Sequence, residues 1–292
     1  MIRPLDPVAD HATVCAFWES CRDFSEMERG RTDHARQTEG FFHDAPPNAD
    51  AAKRMRLGVF DEDRLIGVAL LTEGDDVLLA TRMGKAIRFA ADDIREFQSR
   101  ASTGVRAMKL AKGDEVISLS ILQRVGTSPE EREDYLRFAP WKPEKEGEPT
   151  MSAERIAEMA EREQFILTVC ANGYGKLSSA YGYRRTGRGG QGITNIDNIE
   201  RNGPVVASFP ATKGDQLMLV TDQAKLIRMP LDSLRVLGRG TAGVRLFNVG
   251  DNEHVVGAAK IDESDDEADV AIDDTSEVTS AVAEVSEGNE PA

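Results

Sequence analysis

The chain repeats one pattern of apolar and polar positions three times. Each copy is an apolar run, a short turn and a second strand-like run, and the copies occupy residues 76–89, 165–176 and 215–229. Later segments also match, as Thr-Gly-Val-Arg at 103–106 and Ala-Gly-Val-Arg at 242–245. Units of roughly 50 residues made of short strands are typical of propeller-like arrays, in which each unit buries its apolar face against its neighbours. The pattern predicts a mainly β protein with repeat units at 68–121, 164–209 and 210–260.

Residues 122–163 interrupt the repeats. Ser128 and Glu131 have the spacing of a capping box, with a proline at the first helical position, which predicts a short helix at 131–138. Apolar residues on one side of 153–164 predict a second helix. The segment is interpreted as a short helical insertion between two repeat units.

The N-terminal part of the chain does not follow the repeat. Val14, Phe17 and Trp18 have the i, i+3, i+4 spacing of an amphipathic helix. Apolar runs at 57–60 and 64–68 flank an acidic turn and predict a hairpin. This part is therefore predicted to be α/β.

The formal net charge of −15 conceals an uneven distribution. Residues 261–292 contain twelve Asp and Glu and no Lys or Arg, and their low apolar content predicts a disordered acidic tail. Residues 171–260 hold twelve Lys and Arg against seven Asp and Glu. A basic repeat module within an acidic chain indicates a polyanionic partner.

Other features narrow the class of protein. No apolar run approaches the ~18 residues of a membrane helix, and the N-terminus lacks the pattern of a signal segment, so no membrane partner is expected. Cys15, Cys21 and Cys170 form no CxxC pair, which favours reduced thiols in a cytoplasmic protein. The four histidines show no ligand spacing, so no metal site is predicted.

Residues 1–67, with Ile-Arg-Pro-Leu at 2–5 and Asp-Arg-Leu-Ile-Gly at 63–67, resemble the beginning of a GNAT acyltransferase. The resemblance implies a truncated α/β fragment. That family holds the acyl-coenzyme A pyrophosphate on a glycine-rich turn at a helix N-terminus, and the sequence after residue 68 has no such strand-to-helix turn. An acetyl-coenzyme A-dependent N-acyltransferase therefore remains an alternative function only.

Four motifs carry a second resemblance. They are Gly-Tyr-Gly-Lys at 173–176, Arg-Gly-Gly-Gln-Gly at 188–192, Arg-Asn-Gly at 201–203 and Gln-Leu-Met-Leu-Val-Thr at 216–221. With the first repeat, they closely resemble the C-terminal domain of DNA gyrase A, over residues 68–260. The resemblance implies a β-pinwheel, which in that family is a six-bladed disc that bends duplex DNA around a basic rim.

The same resemblance implies partners and cofactors. The expected partners are duplex DNA and the gyrase core, formed by the remainder of gyrase A together with gyrase B. No cofactor is expected in this chain, because ATP and Mg²⁺ belong to the complete gyrase. Three repeats stand where the family has six, and the family's Q-R-R-G-G-K-G box is missing, so the pinwheel is expected to be partial.

Lysines recur near the hairpin turns of the repeats, at Lys85, Lys176 and Lys225. In a radial array, equivalent positions fall on one rim, so these lysines are expected to lie along a curved positive stripe. Flexible cations beside small glycine turns suit contacts with phosphate oxygens. Such contacts give affinity without base reading.

Arginines complete the expected stripe. Some follow on the strand leaving each turn, as at Arg88, Arg184 and Arg228, and others come two residues after a turn glycine. The full set of predicted DNA-binding residues is Lys85, Arg88, Arg106, Lys176, Arg184, Arg185, Arg188, Arg201, Lys225, Arg228, Arg239 and Arg245.

The sequence thus predicts a non-catalytic module that binds and wraps DNA. It is expected to support ATP-dependent negative supercoiling when joined to a cleavage core, and no catalytic residue is assigned to it. A further alternative is an inactive hybrid, in which missing repeats leave open sheet edges at 71–80 that aggregate.

Overall fold

The computed structural model describes residues 2–5, 12–14, 16, 54–61, 64–94, 104–143, 145, 147–197 and 200–261. The predictions for Phe17, Trp18 and the acidic tail beyond Ile261 lie outside these residues. The described α-helices with defined ends are α1 (Pro129–Phe138) and α2 (Ala153–Glu161), and residues 12–14 and 16 are also helical. The described strands are β1 (Ile2–Pro4), β2 (Arg54–Asp61), β3 (Arg64–Thr72), β4 (Asp75–Thr81), β5 (Lys85–Ala90), β6 (Val116–Gln123), β7 (Phe165–Cys170), β8 (Tyr174–Ser179), β9 (Ile193–Thr194), β10 (Val205–Ala211), β11 (Gln216–Thr221), β12 (Leu226–Pro230), β13 (Val244–Arg245) and β14 (Val255–Ile261).

The strands form four antiparallel sheets. The N-terminal sheet has the order β1-β2-β3, and the three repeats form β6-β4-β5-β9, β10-β7-β8-β13 and β12-β11-β14. The strands β4, β7 and β11 each pair on both sides and therefore lie inside their sheets. The predicted mainly β repeat architecture is confirmed.

Each of the first two repeat sheets receives its outer strand from the following repeat. Strand β9 pairs with β5, with Lys85 opposite Thr194, and β13 pairs with β8, with Tyr174 opposite Arg245. Parallel bridges between the same repeats accompany both exchanges. Neighbouring units are therefore interlocked by backbone hydrogen bonds as well as by apolar packing.

The third repeat sheet lacks such an outer strand among the described residues. Strand β12 consequently has alternating exposed and half-buried residues, and Leu226 at its start is 54% exposed. The expectation that 71–80 forms an open edge was wrong for residues 75–80, because β4 pairs with both β5 and β6.

A left-handed residue ends the turn between the two central strands of each repeat. Gly84 and Gly173 have φ of 76°, and Ala224 occupies the equivalent position with φ of 59°. Glycine adopts this conformation without steric cost, whereas a Cβ makes it unfavourable. Added to Gly173, a Cβ would also lie 2.6 Å from the Phe247 carbonyl oxygen. The turn glycine therefore fixes where each second strand begins.

Replacing Ala224 by glycine is expected to raise the free energy of unfolding by about 0.5–1 kcal/mol. The change relieves a left-handed strain of roughly 1–2 kcal/mol and adds about 0.5–1 kcal/mol of chain entropy to be lost on folding. Urea unfolding measures the difference. Ala258→Gly in β14 is the matched control, since its φ is not positive, and it should lose stability. An equal loss in both variants would contradict the assigned strain.

The N-terminal sheet shares its core with the first repeat. Leu57, Val59 and Leu71 belong to one buried cluster with Val77 and Phe89. The expected boundary at 67/68 falls inside β3, so side chains from both sides of it enter the same core. The division of the chain into domains stays a prediction.

The helical insertion packs on the second repeat. Helix α1 begins at the predicted capping box, where the Ser128 hydroxyl accepts a hydrogen bond from the Glu131 amide. The Tyr135 ring lies 5.0 Å from the Tyr181 ring, centre to centre, and the Tyr181 hydroxyl donates to the Met159 carbonyl. These contacts fix α1 and α2 beside the 3-10 turn (Ala180–Gly182) that follows β8.

Candidate nucleic-acid interface

Lys176 does not occupy the turn position that the sequence predicted for it. The residue directly after the left-handed glycine is Lys85 in the first repeat and Tyr174 in the second. Lys176 comes two residues later, at the inward position that Ile87 holds in the first repeat, and both side chains are buried. The prediction of an exposed rim lysine was therefore wrong at this position.

The Lys176 ammonium instead binds a loop of the third repeat. It donates hydrogen bonds to the carbonyl oxygens of Gly238 at 3.0 Å and Thr241 at 2.9 Å, and also to that of Arg239. Burial, together with the positive charge of Arg239, lowers the pKa of the ammonium to about 7. Its role in the fold is to hold the next repeat.

Arg188 and Arg239 make equivalent contacts in successive repeats. The Arg188 guanidinium donates to the carbonyl oxygens of Asp93 at 3.0 Å and Arg106 at 3.3 Å. Arg239 donates to the Gly182 carbonyl at 2.8 Å and to the Thr194 carbonyl. Both side chains thus tie their own repeat to the preceding one, so the arginine of the glycine-rich segment has a structural role.

Two further arginines differ from their predicted placement. Arg88 is 9% exposed, and its guanidinium lies 2.9 Å from the Asp76 carboxylate and 3.0 Å from the Ala180 carbonyl oxygen. It therefore does not lie on an outer rim. Arg184 is exposed but follows the 3-10 turn rather than lying on β8.

Arg201 and Arg245 meet at the ring of Tyr174. Their guanidinium carbons lie 4.5 and 5.3 Å from the ring centre, and Arg245 also donates to the phenol oxygen at 2.7 Å. Both arginines are exposed. The ring orients Arg201, while hydrogen bonds to the phenol oxygen and to Asn248 also orient Arg245, and cationic surface still faces solvent.

Lys85 and Lys225 occupy the equivalent turn position in the other repeats. Lys85 is exposed, and its ammonium lies 3.3 Å from the Thr194 hydroxyl. The Lys225 side chain is 57% exposed, but its ammonium lies 2.6 Å from the Glu253 carboxylate. Hydrogen bonds from Lys225 and Thr221 lower the pKa of Glu253 to about 2. Lys225 is therefore partly neutralised within the fold.

The hairpin turns of the three repeats are linked in a row. The Val205 amide donates to the Arg82 carbonyl at 2.9 Å, and the Val255 amide makes the equivalent bond to the Ala171 carbonyl at 2.8 Å. We call the row formed by residues 81–85, 170–174 and 221–225, with the Arg201 and Arg245 side chains on it, the turn edge. Exposed cations from all three repeats lie there.

The remaining predicted residues are exposed at other places. Arg228 on β12 donates to the Gln216 side chain at 2.5 Å, and Arg185 lies 3.9 Å from Asp76. Arg106 is exposed beside the Arg188 contact. The structure therefore brings Arg201, Arg245 and Tyr174 together but does not gather all predicted cations into one stripe.

Sequence reasoning missed Tyr174 as part of this edge. The available signal was its position directly after a turn glycine, which matches that of Lys85. Within the described ranges, no group of three metal-binding side chains occurs, and no helix is long and apolar enough to cross a membrane.

The comparisons with known proteins match the three repeat sheets. A family model described as DNA gyrase C-terminal domain, beta-propeller, matches residues 75–123, 164–212 and 215–262. The chain is 45% identical over 252 residues to the DNA gyrase A subunit of Granulibacter bethesdensis, covering 76% of this chain and 27% of the relative. It is 45% identical over 222 residues to the DNA gyrase A subunit of Rickettsia felis, covering 72% and 24%. The chain thus spans about a quarter of the length of these relatives.

Solved structures show the same fold. The C-terminal domain of DNA gyrase A gives a TM-score of 0.50 at 20% identity, covering 69% of this chain and 55% of that one. The C-terminal domain of DNA topoisomerase IV gives 0.52 at 17% identity, covering 72% and 55%. No comparison supports the acyltransferase resemblance of residues 1–67. The chain belongs to the DNA gyrase C-terminal domain family, whose fold is a β-propeller of the pinwheel type.

Proposed function

We propose that this chain binds duplex DNA at the turn edge and bends it, as the non-catalytic portion of a cytoplasmic DNA gyrase A. The observation that carries the proposal is the pair of exposed arginines, Arg201 and Arg245, held on the Tyr174 ring between linked repeat turns. The relatives are DNA gyrase A proteins, of which this chain corresponds to about a quarter.

The chemistry of the turn edge suits phosphate rather than bases. Guanidinium groups match phosphate oxygens with two parallel hydrogen bonds, and stacking on tyrosine limits the entropy they lose on binding. Phosphate contacts fix the position of a duplex but carry no sequence information. Binding is therefore expected to be independent of sequence and strongly salt-dependent.

The free-energy cost of bending DNA limits how far three repeats can curve a duplex. Curving a 20–30 bp site costs of order 1–6 kcal/mol, which several phosphate contacts must offset. The proposed partners are the remainder of gyrase A together with gyrase B, which supply DNA cleavage and ATP hydrolysis with Mg²⁺. In this assignment the chain supports negative supercoiling by bending a DNA segment, and it does not itself break DNA.

A mobility-shift titration at several salt concentrations tests the proposal. If four cations each engage a phosphate, the logarithm of the binding constant falls with the logarithm of salt with a slope of about −3.6. Ligase-driven cyclisation of a short duplex is expected to be faster in the presence of the chain, because a bent duplex brings its ends together. Binding that is indifferent to salt, or an unchanged cyclisation rate, would remove the proposed function.

A further inference from the structure

A second cationic site lies away from the turn edge. A cavity of about 280 Å³ opens between the first repeat sheet, the 3-10 turn after β8 and the start of α1. Four of its lining residues are arginines from three separate parts of the chain. Arg88 and Arg124 come from the first repeat and its end, Arg132 from α1, and Arg185 from the second repeat.

The cavity carries more positive than negative charge. Asp76 is the one acidic residue among the described lining residues, and it lies 2.9 Å from Arg88, 3.3 Å from Arg124 and 3.9 Å from Arg185. Arg124 has a second partner in Asp92 at 2.9 Å. Counting both carboxylates, two of the four guanidinium charges remain uncompensated.

The nearby acidic residues of α1 reduce this surplus only in part. Glu131 binds Arg155 at 2.9 Å, whereas Glu130 accepts a hydrogen bond from the neutral Ser128 hydroxyl at 2.8 Å and its charge interacts with that of Arg132. Neither lines the cavity. The first turn of α1 does line it, through Pro129, and the positive end of the helix dipole there adds to the cationic field.

Two of the arginines are positioned to accept a ligand. Arg132 is partly exposed and forms no ion pair with any described residue. Arg185 is half-exposed and only distantly paired. Burial lowers the pKa of Arg88, Asp76 opposes this effect, and the neighbouring Arg132 and Arg185 lower the pKa to a smaller extent. The guanidinium groups therefore repel one another across the cavity, and a bound anion would relieve that repulsion.

We propose that this cavity is a binding site for a small polyphosphate anion, with pyrophosphate as its simplest form. A single phosphate group carries about −1.5 to −2 at pH 7, which already offsets the surplus. Linked phosphates offer more oxygens, which suits four arginines that come from separate parts of the chain. Planar guanidinium groups bind phosphate oxygens in pairs. The hydroxyls of Tyr181 and Tyr183 are already bonded to Met159 and Asn195, so the arginines alone provide recognition.

An anion bound in the cavity would connect three parts of the chain. Arg132 belongs to the helical insertion, Arg88 to the first repeat and Arg185 to the second, so one anion bridges all of them. A ligand that binds only the folded chain raises its melting temperature by mass action. Pyrophosphate is thus expected to stabilise the chain at concentrations where chloride of equal ionic strength does not.

The test is a thermal melt and a calorimetric titration with pyrophosphate. The double variant Arg132→Gln/Arg185→Gln should melt at the parent temperature without ligand, because both side chains are partly exposed, and its affinity for pyrophosphate should fall at least about tenfold. Arg137→Gln, which changes an exposed arginine of α1 that does not line the cavity, is the control and should retain parent affinity.

A second part of the experiment distinguishes a free polyphosphate ligand from a phosphate of DNA. If the ligand is a small anion, the double variant keeps the parent affinity for a short duplex, and pyrophosphate does not compete with the duplex. If the cavity binds a phosphate of the DNA backbone, the double variant loses affinity for the duplex as well as for pyrophosphate, and pyrophosphate competes with the duplex. The cavity is then still a phosphate site. Equal stabilisation of parent and double variant by pyrophosphate, or none of either, would overturn the proposal, whatever the outcome of the DNA-bending experiments.

Discussion

Replacing Lys176 by methionine is expected to lower the free energy of unfolding by about 3 kcal/mol at alkaline pH. At alkaline pH the neutral Lys176 amine donates its two N–H groups among the carbonyl oxygens of Gly238, Arg239 and Thr241, whereas methionine keeps most of the buried stem but donates none. A buried acceptor left without its donor costs roughly 1–3 kcal/mol, and relaxation of the loop recovers part of the combined cost. The lost hydrogen bonds are those that connect the second repeat with the third.

Urea unfolding followed by circular dichroism measures this effect. Lys85→Met is the matched control, because the same substitution is made at a lysine that is exposed and has one long hydrogen bond to Thr194. It should change stability little. Similar losses in the two variants would show that Lys176 does not hold the loop.

The pH dependence of Lys176→Met gives an independent check. Burial lowers the pKa of Lys176 to about 7 in the folded chain, whereas a lysine of the unfolded chain titrates near 10.4. Between these values the unfolded chain binds more protons, so the stability contributed by Lys176 increases as pH rises. The loss caused by the substitution should therefore be larger at pH 9 than at pH 6. A constant difference would mean that the ammonium keeps its proton throughout.

The repeat units and their central strands could be predicted from sequence because recurring apolar runs and turn glycines mark them. The placement of Lys176 could not be predicted by aligning lysines, since the left-handed glycine, not the lysine, sets the register. Gly173 makes Tyr174 the equivalent of Lys85 and directs Lys176 inward. Tyr174 and Lys176 are two residues apart and lie on the same face of the strand, but the first is at the turn and the second lies inside the sheet, where its side chain is buried.

The exchanged outer strands were also beyond sequence reasoning. Strands β9 and β13 are two residues long, and each pairs with a strand of the preceding repeat. Segments that short carry no periodicity, and their stability comes from the partner strand. The anion-binding cavity was missed for a related reason, because Arg88, Arg132 and Arg185 are far apart in the chain and meet only through the packing of the insertion.

Reversing the charge of Arg201 and Arg245 together is expected to weaken DNA binding at least about tenfold at 0.1 M salt. Each substitution by glutamate removes one phosphate contact and adds a repulsive charge. Because each lost contact reduces the salt slope by about 0.9, the double variant should have a slope smaller by about 1.8. A mobility-shift titration on one duplex at several salt concentrations gives both quantities.

Three comparisons make this experiment specific to the turn edge. Arg137→Glu makes the same charge change as each single reversal, but on α1, outside the turn edge, and should leave the slope unchanged. Tyr174→Leu removes the ring under both guanidinium groups but no charge, so it should reduce affinity less than the double reversal and keep the slope. Lys176→Met, studied below its melting temperature, should also keep the slope, because a buried lysine neutralises no phosphate. If Lys176→Met and the double reversal lowered the slope equally, the contact surface would have to lie elsewhere than the turn edge.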